Sequence, residues 1–200
     1  MTIDAVKSPL GAEVRIRAGY PFRSGVEEVS DGPVQAVQMK DLDAIRGIDW
    51  RGVIRTRLPG RRQADWLASE DLLFVARGTR FYAGCVGELP GPAVCGPHLF
   101  HLRIRPGRTL LPAFLAWQIN QAPFQRSLQR AAEGSSQLSV RRPVLESLPI
   151  SVPSMAEQER IAALALLAHR ERQLQDLLIR NRERQLGAIA EALAGASGNA

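Results

Sequence analysis

The stretch from Ser154 to Leu193 constrains this chain most. It contains no proline and a single glycine, Gly187. Its residues are mostly Ala, Leu, Arg, Gln and Glu, the strongest helix formers. Ser154-Met155-Ala156-Glu157 predicts a capping box, in which the Ser154 hydroxyl accepts from the Glu157 N–H and the Glu157 carboxylate reaches back. Pro153 stands just before it, where a missing N–H does no harm. Forty residues at about 1.5 Å rise each make a rod roughly 60 Å long. Leu164, Leu167, Glu171, Leu174, Leu178 and Asn181 alternate by three and four positions, a heptad seam with one charged interruption. After Asn181 the apolar positions shift by one, to Leu186, Ile189 and Leu193, with Ala188 and Ala192 beside them. A lone amphipathic helix cannot bury such a seam. It requires a second helix, from another copy or from a partner.

The chain's 200 residues leave room for one body of about 150 residues before this helix. With 45% hydrophobic and 23% charged residues, that body has an ordinary globular composition. No run approaches the ~20 apolar residues of a membrane span, and the first residues carry no basic-then-apolar leader. A cytoplasmic location is expected. The net charge of +6 is unevenly spread: from Ser154 onward six Arg balance six acidic residues, so the excess lies in residues 1–153. Lys7 and Lys40 are the only lysines. Arginine supplies planar forks for phosphate and guanine edges, although a codon bias toward arginine explains the same composition. Cys85 and Cys95 are expected to be reduced. With His98 and His101 they suggest a zinc site, but the spacing lacks the usual paired ligands and the alternation of Leu99–Ile104 separates the two histidines.

Along the chain, residues 1–12 read as a weakly structured lead, and Glu13–Ala18 alternates as a strand running into a turn-rich loop, Gly19–Gly25. Val34–Lys40 is a second strand candidate. Residues 43–65 are polar and Gly-rich, with a loop or edge strand near Val53-Ile54. Asp71–Ala76 and Phe81–Val86 form a hairpin around Arg77-Gly78-Thr79-Arg80. Leu99–Ile104 is a further strand, a helix starts at Leu111, and a second helical piece follows Pro123 to about Ala132. Gly134-Ser135-Ser136-Gln137 is a polar turn, and Pro149–Pro153 is extended. The expected class is α+β: a mixed α/β body over residues 1–153, then one long coiled-coil helix over 154–200 with a short disordered tail.

Four pieces of the chain, in order, carry a family resemblance. They are Gly19-Tyr20-Pro21-Phe22-Arg23-Ser24-Gly25, then Glu70–Gly78 entering Ala83-Gly84, then Gly134–Ser139 followed by Leu145–Pro149, and last Ile150–Ala162. In this order the chain resembles one half of the DNA-specificity (S) subunit of type I restriction–modification systems. The resemblance implies a target-recognition domain that reads part of an interrupted DNA site, followed by a spacer helix. S subunits typically contain two such domains and two antiparallel helices, whereas this sequence has one of each. The resemblance therefore implies a half-subunit that pairs antiparallel with a second copy and reads a palindromic, interrupted site. It also implies a DNA adenine methyltransferase partner and a motor-nuclease restriction partner. The first would bring S-adenosylmethionine and the second ATP, so no cofactor binds this chain.

Candidate DNA-binding residues are Arg23, Lys40, Arg77, Thr79, Arg80, Ser135, Ser136, Gln137, Arg141 and Arg142. The hairpin turn offers guanidiniums to a groove or is simply a solvated turn. The Ser135–Arg142 stretch, with Ser139, grips phosphate or is a solvent loop. Candidate dimerisation residues are Leu164, Leu167, Leu174, Leu178, Asn181, Leu186, Ile189 and Leu193. Asn181 pins helix register or sits on a wet flank. Capping accounts for Glu157 but not for Gln158, which stays open as a partner contact. Tyr20, Phe22 and Trp66 read as packing residues rather than base-stacking platforms, and Trp117 as structural. Phosphate-loop, dinucleotide, adenine-methylation and nuclease signatures are absent from the sequence, so a non-enzymatic DNA reader is expected. The competing class is an oligomeric protein-interaction scaffold without sequence reading.

Overall fold

Leu72-Leu73-Phe74-Val75 has no polar residue to turn toward water, and this run becomes the middle of the body. The computed structural model describes residues 4–22, 25–59, 63–134 and 138–196. In chain order its strands are β1 (Ala5–Pro9), β2 (Val14–Ala18), β3 (Val34–Val37), β4 (Leu42–Asp43), β5 (Gly47–Ile48) and β6 (Ile54–Thr56), then β7 (Leu72–Val75), β8 (Tyr82–Cys85), β9 (Ala93–Cys95), β10 (Leu99–Ile104) and β11 (Pro149–Pro153). The helices are α1 (Leu10–Glu13), α2 (Pro112–Ile119), α3 (Ala122–Ala131), α4 (Arg142–Ser147) and α5 (Met155–Ala196). The result is α+β with one long C-terminal helix, as the sequence predicts.

The central sheet has the order β2-β10-β7-β8 and is antiparallel throughout. Successive residues of a strand point to opposite faces, and both faces here are covered. Leu72, Phe74, Ile16 and Leu102 pack with Phe114, Leu115, Ile119, Leu128 and Leu145 of the helices. Leu73, Val75 and Leu99 pack with Val37, Leu42, Val53, Leu67 and Cys95 from the 34–95 layer. In that layer β3 pairs antiparallel with β6 and parallel with β9. A strand buried on both faces reads as continuous apolar sequence rather than as alternation. The hairpin at Arg77–Arg80 forms between β7 and β8 with Val75 opposite Tyr82.

The N-terminal lead differs from expectation. Residues 5–9 form β1, which pairs antiparallel with β11, with Ala5 opposite Pro153 and Pro9 opposite Pro149. The helical turn α1 follows and buries Leu10 completely. Lys7 and Ser8 interrupt the apolar pattern of this strand, because a two-stranded ribbon needs only part of one face covered. Its pairing partner lies 140 to 148 residues away in sequence, so no local signal marks it.

The chain divides into two compact units, Met1–Ala162 and Ala163–Ala200. The first includes the opening turns of α5. The Glu157 N–H donates to the Ser154 hydroxyl at 3.3 Å, one half of the expected capping box. The Glu157 carboxylate instead accepts from Arg160 at 3.0 Å. Gln158, 0% exposed, uses its whole amide. Its Oε1 accepts from the Leu111 N–H at 2.8 Å, and its Nε2 donates to the carbonyls of Thr109 and Pro153, both at 2.9 Å. This answers the open question about Gln158: within the first unit it ties the start of α5 to the chain entering α2.

Replacing Gln158 with leucine removes the side-chain partner of the Leu111 N–H and of the Thr109 and Pro153 carbonyls, each hydrogen bond contributing about 0.5–1.5 kcal/mol. Urea unfolding of Gln158→Leu is expected to show a loss of about 2–4 kcal/mol with an unchanged slope. A midpoint equal to wild type would mean that water replaces the amide at no cost.

Candidate nucleic-acid interface

Backbone register determines which loops meet. In the central sheet Phe100 lies opposite Ala18, Leu99 opposite Val75, and Val75 opposite Tyr82. The end of β2, the start of β10, the end of β7 and the start of β8 therefore share one end of the sheet. Three loops leave there: Gly19 onward, Gly96-Pro97-His98, and Arg77–Arg80. Backbone hydrogen bonds join them, from Gly19 to Leu99, Tyr20 to Cys95, and Ala76 to His98, at 2.7–3.0 Å. A side chain at Gly19 would meet the Gly96 carbonyl oxygen at 1.9 Å, so only glycine permits this approach.

The same end gathers residues far apart in sequence. Arg77 forms an antiparallel bridge with Ser139, and Ser139 with Glu133. The bridge is closed by Gly78 N–H to Leu138 carbonyl at 3.0 Å and Val140 N–H to Ala76 carbonyl at 2.9 Å. Directly opposed residues project to one side of a ladder, so Arg77, Ser139 and Glu133 share a face. Arg141 follows two residues after Ser139, and its guanidinium pairs with Glu133. Arg142 pairs with Glu146 at 3.5 Å along α4. Arg77, Thr79 and Arg80 are exposed. The Tyr82 hydroxyl donates to the Leu42 carbonyl at 2.9 Å, which brings the 3-10 turn Met39–Asp41, with exposed Lys40, beside the start of β8. Burial, then the Asp43 carboxylate, push that hydroxyl's pKa up, and the nearby Arg80 charge opposes them. Lys40, Arg77, Thr79, Arg80, Arg141 and Arg142 are thus all described. Arg23, Ser135, Ser136 and Gln137 lie outside the described residues.

Arg15, Arg17 and Arg103 are paired. On the face of β2 and β10, Arg17 and Arg15 reach Asp65 at 3.0 and 3.5 Å. His101, 2% exposed, hydrogen-bonds Asp65 through Nδ1 at 2.9 Å, while its Nε2 lies 2.7 Å from Asp71, outside hydrogen-bond alignment. Arg103 donates to both carboxylate oxygens of Asp71, at 2.7 and 2.6 Å. Burial alone would raise the Asp71 pKa. The Arg103 and His101 interactions outweigh it and hold the carboxyl at about 2. Sequence reading missed this network, since its bonded members are separated by up to 50 residues and share no motif.

The zinc reading fails on position. Cys85 packs against the helix-side cluster and Cys95 lies in the opposite one. His98 sits in the exposed turn and His101 between two aspartates. Burial pushes the thiols up to about 11 and about 12, disfavouring the thiolates that bind metal. No group of three His, Cys, Asp or Glu among the described residues is arranged to hold a metal ion. Tyr20 and Phe22 meet edge to face, with ring centres 5.0 Å apart, in a small cluster with Val34 and Val94. Trp117 packs on the helix-side core beside Phe114, and Trp66 is 45% exposed. Among the described residues no helix is long and apolar enough to cross a membrane.

In the second unit, α5 exposes its seam. Leu164, Leu167, Leu174 and Leu178 are 55–66% exposed, and Asn181, Leu186, Ile189 and Leu193 are exposed as well.

No protein-family model and no curated protein sequence matches the chain. Solved structures do. The type I restriction–modification S subunit from M. genitalium superposes with a TM-score of 0.56 at 15% identity, covering 90% of this chain and 43% of that one. The HsdS subunit from Thermoanaerobacter tengcongensis gives 0.56 at 17%, covering 86% and 39%. A chain from a structure of type I system assembly and conformational transition gives 0.59 at 17%, covering 86% and 40%. The chain shares the fold of type I specificity subunits. It spans about two-fifths of the length of these three neighbours.

The Asp71 carboxyl has a folded-state pKa below its ordinary value of 3.8, so its ionised form stabilises the fold above pH ~4, and this is lost as pH falls through about 2. A shift of nearly two units corresponds to about 2 kcal/mol. Unfolding free energies measured between pH 6 and pH 2 are expected to fall less steeply for Asp71→Asn than for wild type. Equal slopes would remove Asp71 from the acid response.

Proposed function

We propose that this chain is a non-enzymatic DNA-recognition subunit of a type I-like restriction–modification system. Residues 1–153 form the recognition unit that reads one half-site, and residues 154–200 form the pairing segment, built on the long helix α5. The observation that carries this reading is the meeting, at one end of a rigid sheet, of loops that the sequence resemblance selects separately. The bridge from Arg77 to Ser139 joins the hairpin turn to the segment that follows Gly134. That end presents Lys40, Arg77 and Arg80 to solvent on backbone held by sheet hydrogen bonds, a suitable base for reading double-stranded DNA. The fold shared with S subunits supports the same reading.

The exposed seam supports pairing with a second copy, its helix antiparallel, so that two recognition units address a symmetric, interrupted site. A DNA adenine methyltransferase subunit docks on the assembly and brings S-adenosylmethionine. A motor-nuclease subunit is a further partner, and the complex works in the cytoplasm.

Arg77→Ala and Arg80→Ala are each expected to weaken DNA binding. A bidentate guanine contact would cost about 1–3 kcal/mol at one base position, whereas a phosphate contact would weaken every duplex alike. Arg141→Ala with Arg142→Ala is expected to flatten the salt dependence by roughly one unit per lost phosphate contact and to leave base preference intact. Salt titrations with duplexes of different sequence check both. Binding with a salt slope but no discrimination among sequences at fixed salt would favour the scaffold reading instead.

Replacing Leu167, Leu174 and Leu178 with aspartate is expected to convert the assembly to monomers. Sedimentation of the soluble variant at the wild-type position would exclude the seam as the pairing surface.

A further inference from the structure

We infer that His98 is a base-contacting, specificity-determining residue, an inference that rests on the DNA-recognition reading above. His98 has φ +71°, and it is the only non-glycine with positive φ among the described residues. The other six positive-φ positions are all glycine. Pro97 followed by a left-handed residue is the pattern of a type II turn, in which the third position strongly favours glycine because a Cβ is crowded there. The turn joins β9 to β10, and its backbone is anchored on three sides. The Gly96 N–H donates to Val37 at 2.7 Å, Ala76 N–H to the His98 carbonyl at 3.0 Å, and Tyr20 N–H to Cys95 at 2.7 Å. The surrounding sheet thus imposes the left-handed conformation whichever residue stands there, and glycine would satisfy it with less strain.

Among the described residues, then, the fold makes no use of the imidazole. The side chain is exposed and hydrogen-bonds no described residue. Its position is central: the sheet order sets the start of β10 between the Gly19 loop at the end of β2 and the Arg77–Arg80 turn at the end of β7. Guanidiniums on that end only donate hydrogen bonds, whereas a neutral imidazole both donates and accepts. It can therefore take an amino hydrogen of adenine or cytosine, which arginine cannot, and so add discrimination that the basic turn lacks.

The test binds the full 200-residue chain, as wild type and as His98→Gly, to a pool of randomised duplexes, and records base preference, salt slope and melting temperature. Glycine suits the turn, so the variant is expected to melt no lower than wild type. Preference at one base position should fall about tenfold, with preferences elsewhere and the salt slope unchanged. Three results would overturn the assignment of His98 alone. They are a base profile identical to wild type, a uniform loss with a shallower salt slope, which marks a phosphate contact, and a melting temperature well below wild type, which marks a structural side chain. A wild-type profile with no base preference at all would overturn the recognition reading itself, and His98 with it.

Discussion

The body depends on one constraint: β7 has no solvent face. Leu72, Leu73, Phe74 and Val75 are 0–3% exposed, because helices cover one side of the central sheet and the 34–95 layer covers the other. Any polar group brought into this sandwich must find its partner inside it. Asp71, entering β7, is met by Arg103 and His101, and His101 in turn by Asp65. The buried charges are balanced within the sheet, and that balance occupies the basic residues that flank it.

Arg15, Arg17 and Arg103 flank the sheet and are matched to Asp65 and Asp71. At the loop end, Arg77 and Arg80 have no ion-pair partner among the described residues, and Arg141 is held by Glu133 in an exposed pair. Exposed pairs contribute about 0–1 kcal/mol. The loop end thus carries unpaired positive charge where the loops converge.

Closure of the body is equally non-local. β1 pairs with β11, the strand that leads directly into α5, and Gln158 ties the first turn of α5 to Leu111 and Thr109. The earliest and the latest segments of the first unit are therefore mutually dependent, and the capping serine adds only a local contact to this. An amide that satisfies three backbone groups has no isosteric apolar substitute, which is why a glutamine stands where helix propensity alone would accept many residues.

The sequence by itself determined the elements whose signals are local. The proline-free run after Ser154 sets a helix through propensity and heptad spacing, the apolar runs around Arg77–Arg80 set a hairpin, and Pro112 and Pro123 open α2 and α3. Each depends on residues within one or two turns of one another. The tertiary structure alone decided which loops meet. Strand order and register place Gly19, His98, Arg77 and Ser139 together, and pairing between strands 24 to 90 residues apart leaves no periodicity to read. It also turned an unpatterned N-terminus into a paired strand and made Gln158 a structural tie. The left-handed backbone of His98 belongs to this second class, because a histidine in sequence carries no sign of φ until the sheet around it imposes one.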